Sequence, residues 1–116
     1  MQNEKPSTIL LLTGETMGRG DDELGFMLLG NFLHLLAENG NVPQNIFLLN
    51  AGVKLAVDGE PTVGLLKRLE ELGSKILSCK TCVDFFEIED KLAVGEITTA
   101  KVVVESVVTS DKVITM

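Results

Sequence analysis

The chain has 116 residues, a formal net charge of −7 and 45% apolar residues, with neither Tyr nor Trp. That length fits a single domain, residues 1–116, with an aliphatic core that buries about two-thirds of the unfolded chain's surface without disulfide staples. The acidic balance excludes nucleic acid and an anionic membrane surface as partners, since both need clustered Lys and Arg. No apolar run approaches the roughly 20 residues needed to span a bilayer. Residues 1–6 lack a signal-peptide pattern and are expected to form a flexible N-terminus, which makes the cytoplasm the expected compartment. There, two cysteines are expected to serve catalysis, redox chemistry or metal binding instead of a disulfide scaffold.

In chain order, the run 7–13 is apolar on both faces and ends in Gly14, as a buried parallel strand does. A loop from Gly14 to Gly20 follows. Asp21, Asp22 and Glu23 then open a helix, where acidic residues oppose the positive end of the helix dipole. This helix runs to about Glu38 and stops at Gly40. Leu24, Leu28, Phe32 and Leu35 share one side, while Phe26, Leu29, Leu33 and Leu36 spread apolar surface around most of the rest. Only Asn31, His34 and Glu38 form a polar stripe. A helix this apolar is expected to pack on two sides, which predicts a homo-oligomer interface along Leu24–Leu36.

Residues 45–50 read as a second strand, and 51–59 as a long loop with apolar content. Pro61 suits a first helical turn. Val63, Leu65, Leu66, Leu69 and Leu72 give that helix an apolar face, and Gly73 ends it. A third strand spans 74–78 and leads into Cys79-Lys80-Thr81-Cys82. A short helix or turn over 83–91 and a short fourth strand over 92–96 come next. Residues 101–108 are rich in β-branched residues, yet Thr98 or Thr99 can cap a helix. Val103 with Val107, and Val104 with Val108, recur at helical spacing, so a helix is predicted. The last strand is 112–115.

This alternation predicts an α/β fold: a five-stranded parallel sheet in a three-layer α/β/α, Rossmann-like arrangement with right-handed crossovers. Ligands of such sheets bind beyond the carboxyl ends of the strands. The loops Gly14–Gly20, Asn50–Asp58, Cys79–Cys82 and Gly95–Thr99 are expected at that edge. The thiol pair is the candidate chemistry: a thiol reacts as thiolate, and a helix start or a nearby cation lowers its pKa. This favours Cys79 as the reactive thiol, with Cys82 as its resolving partner. Arg19, Lys54 and Lys80 would supply positive potential, and Asn50 and Thr98 complete the candidate substrate-binding residues. No metal is expected, because zinc wants four ligands and His34 is the one histidine. Asp21, Asp22 and Glu23 are read as helix-capping acids. The Gly14, Gly18, Gly20 spacing matches neither the dinucleotide fingerprint nor a Walker loop, and no cofactor is expected.

Four segments together resemble a known family: residues 16–25 (TMGRGDDELG), 50–55 (NAGVKL), 76–82 (ILSCKTC) and 91–95 (KLAVG). They are similar to the DsrE-like domain of YedF-type proteins, the sulfurtransferase-like selenium metabolism proteins of the DsrE/DsrF-like group. The resemblance implies an oligomeric α/β/α domain that carries sulfur, or selenium in its place, as a cysteine persulfide. On it, Cys79 and Cys82 match the family's paired cysteines, with Lys80 replacing the usual glycine between them. Family members often carry an N-terminal TusA-like domain, which these 116 residues do not contain; a TusA-like domain is the sulfur donor or acceptor that the resemblance implies. Two other readings stand beside it: a thiol–disulfide redox module, and a non-catalytic oligomeric assembly subunit.

Overall fold

The computed structural model describes residues 7–116; the expected flexible segment 1–6 lies outside the described residues. The run that reads as a buried strand forms β1 (Thr8–Leu12). Asp21 then caps α1 (Asp22–Asn39), its Oδ1 accepting the Leu24 N–H at 2.9 Å, and Gly40 closes the helix in a left-handed conformation. The acids thus act as the capping reading predicts. β2 (Asn45–Leu48) runs directly into a 3-10 helix, Asn50–Ala56, where the sequence reads as a loop. α2 (Thr62–Glu71), β3 (Lys75–Cys79) and α3 (Lys80–Phe86) follow, then β4 (Glu96–Thr98), α4 (Ala100–Thr109) and β5 (Lys112–Thr115). Thr99 caps α4 by accepting the Val102 N–H, so the β-branched run is helical, as its spacing indicates.

The five strands are all parallel, in the order β4-β3-β2-β1-β5. The first three crossovers step across the sheet in one direction. The right-handed rule therefore puts α1, α2 and α3 on one face and sends α4, on the return to β5, to the other. The side chains agree with this alternation. Leu10, Leu12, Ile46, Leu48 and Ile76 pack with Leu29 and Leu33 of α1, Leu66 and Leu69 of α2, and Val83 of α3. Ile9 and Phe47 point the opposite way and pack with Val103 of α4. Full burial of each such Leu, Ile or Phe contributes about 1.5–3 kcal/mol.

Two boundaries lie furthest from the sequence reading. The fourth strand begins at Glu96, not at residue 92. Leu92 instead forms an isolated antiparallel bridge with Val57, and Ala93 N–H donates to Ala56 O at 2.8 Å. Gly95 adopts φ 79° against the carbonyl oxygen of Ile76, so it enters β4 at the amino edge, away from the cysteines. The helix after β3 begins at Lys80, not at 83, which takes Cys82 into its first turn. Among the described residues, no helix is long and apolar enough to cross a membrane.

Candidate functional site

The thiol pair lies where β3 ends and α3 begins, at the carboxyl edge of the sheet. Cys79 is the last residue of the strand and the N-cap of the helix, and it is buried, with 6% of its surface exposed. Cys82 is half-buried, and both thiols are free. The two thiols lie near enough for Cys79 to influence the ionisation of Cys82. Register places Thr98 of β4 directly beside Cys79.

From the neighbouring strand, the 3-10 turn reaches over the pair. Asn50 N–H donates to Cys82 Sγ at 3.0 Å. Asn50 holds φ 51°, the left-handed region that Asn tolerates better than most residues. The turn is pinned from below: Leu49 N–H donates to Leu12 O at 2.9 Å, and Gly52 N–H to Leu49 O at 2.8 Å. Lys54, on the same turn, stacks its Nζ 4.4 Å from the ring centroid of Phe86. Phe86 in turn meets Phe85 edge to face, with centroids 5.2 Å apart. Asn50, Thr81, Cys82, Phe85 and Phe86 line an open cavity of about 410 Å³. Phe85 stands 79% exposed at its rim.

The electrostatics differ from the expected activation by cations. Burial pushes the Cys82 thiol up from the ordinary value of 9.0, the Asn50 N–H pulls it down, and the Cys79 thiol pushes it up again. Lys80 does not act on the thiols directly, because its ammonium pairs with Asp84 at 3.1 Å, four residues along α3. That pairing raises the Lys80 pKa, through the Asp84 hydrogen bond and charge first. Asn50, Lys54, Lys80 and Thr98 thus all lie on elements that meet at the thiol pair.

Arg19 is the exception. It is exposed, without a hydrogen bond or ion pair among the described residues, and its loop folds onto α1, where Met17 N–H donates to Gly25 O at 2.9 Å. That loop lines a separate cavity with Phe26 and Ala51. A wider cleft of about 620 Å³ on α3 is lined by Val83, Asp84, Glu87, Glu89 and Asp90. It holds no cysteine, and its carboxylates disfavour an anionic sulfur species, so the smaller aromatic cavity is the better site. His34 pairs with Glu38 at 3.3 Å on the exposed side of α1. Phe85 and Phe86 went unnoticed as site residues in the sequence; their place directly after Cys82 in the helix is the signal that could have marked them.

Solved structures share this fold, three of them as follows. The ychN protein of E. coli aligns with a TM-score of 0.70 at 21% identity, over 95% of this chain and 99% of its own. MTH1491 from Methanobacterium thermoautotrophicum, a protein of unknown function, gives 0.71 at 14% identity over 97% and 100%. BT1422 from Bacteroides thetaiotaomicron, also of unknown function, gives 0.66 at 16% over 95% of each chain. No protein-family model and no curated protein sequence matches the chain. At these identities the likeness establishes the three-layer α/β/α fold with its parallel sheet.

Proposed function

We propose that this protein is a small cytoplasmic carrier that takes sulfur, or selenium in its place, as a persulfide on the Cys79–Cys82 pair and passes it to an acceptor thiol. The observation that carries this reading is the Asn50 N–H directed at Cys82 Sγ, at the mouth of an open, aromatic-lined cavity. A carrier needs a thiol that a partner can reach and a fixed donor for the anion formed on loading. Free neighbouring thiols suit a reducing compartment. The overall transfer conserves oxidation state: a donor persulfide R–S–SH gives its outer sulfur to the cysteine and leaves as R–SH. A TusA-like domain is the proposed donor or acceptor.

We further propose that copies of the chain associate through α1. Leu24, Met27, Leu28 and Leu35 lie exposed along its outer side, a larger apolar row than a solvated helix carries. The function is tested by incubating the protein with a small-molecule persulfide donor and mapping its cysteine peptides by mass spectrometry. The expected product carries one added sulfur atom on the pair. Unmodified peptides, under conditions that load a control sulfur carrier, would sink the reading.

A further inference from the structure

The geometry distinguishes the two sulfurs, an inference that rests on the sulfur-carrier reading for its cargo and not for its test. Two non-glycine residues among those described have positive φ, Glu87 and Asn50. Glu87 is the left-handed cap that ends α3, an ordinary structural use. Asn50 instead sits between the end of β2 and the 3-10 turn, and its N–H goes to Cys82 Sγ. A non-glycine residue in this uncommon conformation away from a helix end marks a place where the backbone direction is needed, and Asn meets that need at the least cost.

We infer that Cys82, not Cys79, bears the transferred sulfur, and that Asn50 is a positioning residue whose left-handed backbone aims its N–H at the anionic form of Cys82. This reverses the roles that the sequence favours. Three observations converge on it. Cys82 is half-buried and lines the cavity, whereas Cys79 is 6% exposed and lies in the strand end. Cys82 alone of the pair accepts a backbone N–H. The cavity wall beyond it is formed by Thr81, Phe85 and Phe86, which leaves room for a sulfur extending from Sγ.

In loading, the Cys82 thiolate attacks the outer sulfur of R–S–SH. The donor's S–S bond breaks, R–S⁻ leaves and takes the proton that Cys82 gave up, and Cys82–S–SH forms. In unloading, an acceptor thiolate attacks the terminal sulfur and Cys82 departs as thiolate. Neither step needs an oxidant or reductant. A hydropersulfide is a stronger acid than its thiol. The empty carrier therefore rests mainly as the thiol and loads through its minor thiolate fraction, whereas the loaded one is an anion held by Asn50. Cys79 takes no part in either step and stays buried beside Cys82.

Two experiments decide the matter. In the first, wild type, C79A, C79S and C82S are exposed to inorganic polysulfide, with circular dichroism to select folded variants. An added sulfur on Cys82 in wild type and in either Cys79 variant, with less or none on Cys79 in C82S, is expected. An adduct on Cys79 in C82S that equals or exceeds that on Cys82 overturns the assignment and leaves the carrier reading standing. No adduct in wild type sinks the carrier reading, and the second experiment still decides the role of Asn50.

That experiment follows iodoacetamide alkylation of each cysteine against pH in wild type, N50G and N50V. Glycine adopts φ 51° freely and keeps the N–H in place, whereas valine resists it. The titratable groups on the elements around Cys82 are Cys79 of β3, Lys54 of the turn, and Lys80 and Asp84 of α3. None of them is changed by these substitutions. The expected profile for Cys82 is unchanged in N50G and moved up by about one pH unit in N50V, about tenfold less thiolate at a given pH below the midpoint. A wild-type profile in folded N50V, or Cys79 reacting ahead of Cys82 in wild type, overturns the inference.

Discussion

The 3-10 turn that covers Cys82 depends on Gly52, which makes Gly52→Ala an informative perturbation. A Cβ built at Gly52 would overlap the carbonyl oxygen of Leu12, lie 3.0 Å from the Leu12 carbonyl carbon, and lie 3.4 Å from Gly14 N. All three atoms are backbone, so no side chain can rotate aside and the turn itself must lift. Overpacking of this kind costs about 1–3 kcal/mol. Lifting the turn also strains the Leu49-to-Leu12 and Gly52-to-Leu49 hydrogen bonds, at about 1 kcal/mol each. Alanine returns about 0.4–1 kcal/mol by restricting the unfolded chain. The net loss is about 2–4 kcal/mol, or a fall in Tm of roughly 8–16 °C at about 4 °C per kcal/mol for a domain of this size. Urea unfolding should show a lower midpoint with an unchanged slope, and the Cys82 alkylation profile should move to higher pH, as in N50V, because the Asn50 N–H moves away with the turn. Gly64→Ala is the control. Gly64 sits on exposed α2 surface with nothing within 4 Å of an added Cβ, so this change should be stabilising by up to about 1 kcal/mol. If G52A unfolds at the wild-type midpoint, the close approach to Leu12 does not hold the turn and the reasoning fails.

Ser78 is 1% exposed and its hydroxyl has no hydrogen-bond partner among the described residues, so Ser78→Ala removes an uncompensated polar group. It should leave stability equal or raise it by about 1 kcal/mol, and a clear loss in urea would show that the hydroxyl is satisfied after all. Because the folded-state pKa of Cys82 lies above the ordinary thiol value of 9.0, the unfolded chain loses that proton first as pH rises. Stability from this group is therefore full below about pH 9 and declines above it, and the decline between pH 8 and pH 10 should be shallower in C82A than in wild type. Leu28 and Leu35 are 41% and 60% exposed, so L28E/L35E should keep the circular dichroism spectrum while reducing the mass seen by light scattering; a wild-type monomer at micromolar concentration would refute the α1 interface. Finally, a thiol anchored by a backbone N–H should react with a neutral alkylating reagent at nearly the same rate in 50 mM and 500 mM salt, whereas activation by free surface cations would weaken severalfold.

Most of the architecture is legible in the sequence because its signals are local. The apolar run of β1, the Asp21 and Gly40 caps of α1, and the Thr99 cap of α4 are each written within a few residues. The cap and the spacing of Val103 and Val107 outweigh the strand propensity of the valines around them. β4 is misread for the opposite reason. Leu92, Ala93 and Val94 form a strand-like apolar run, but their partners are Val57 and Ala56, more than thirty residues earlier, and no local pattern reports that pairing. The early start of α3 does have a local mark, the i,i+4 pair of Lys80 and Asp84, which stabilises the first turns of a helix.

At the site, the residue types were legible and the physics that joins them was not. Lys54 and Lys80 are cations near a thiol pair, and on sequence alone that proximity predicts an activated thiolate. In the fold, Lys80 faces Asp84 and Lys54 lies over the Phe86 ring, so each positive charge already has a partner. What acts on Cys82 to favour its anion is an uncharged backbone group, the Asn50 N–H, aimed by one left-handed residue and held by the contact of Gly52 with Leu12. A fixed dipole of this kind favours an anion without attracting every anion in solution. Net charge −7 works in the same direction by slowing, without preventing, the approach of free sulfide and polysulfide. The Phe85 ring, largely exposed beside the cavity, leaves Cys82 open on the side that the turn does not cover.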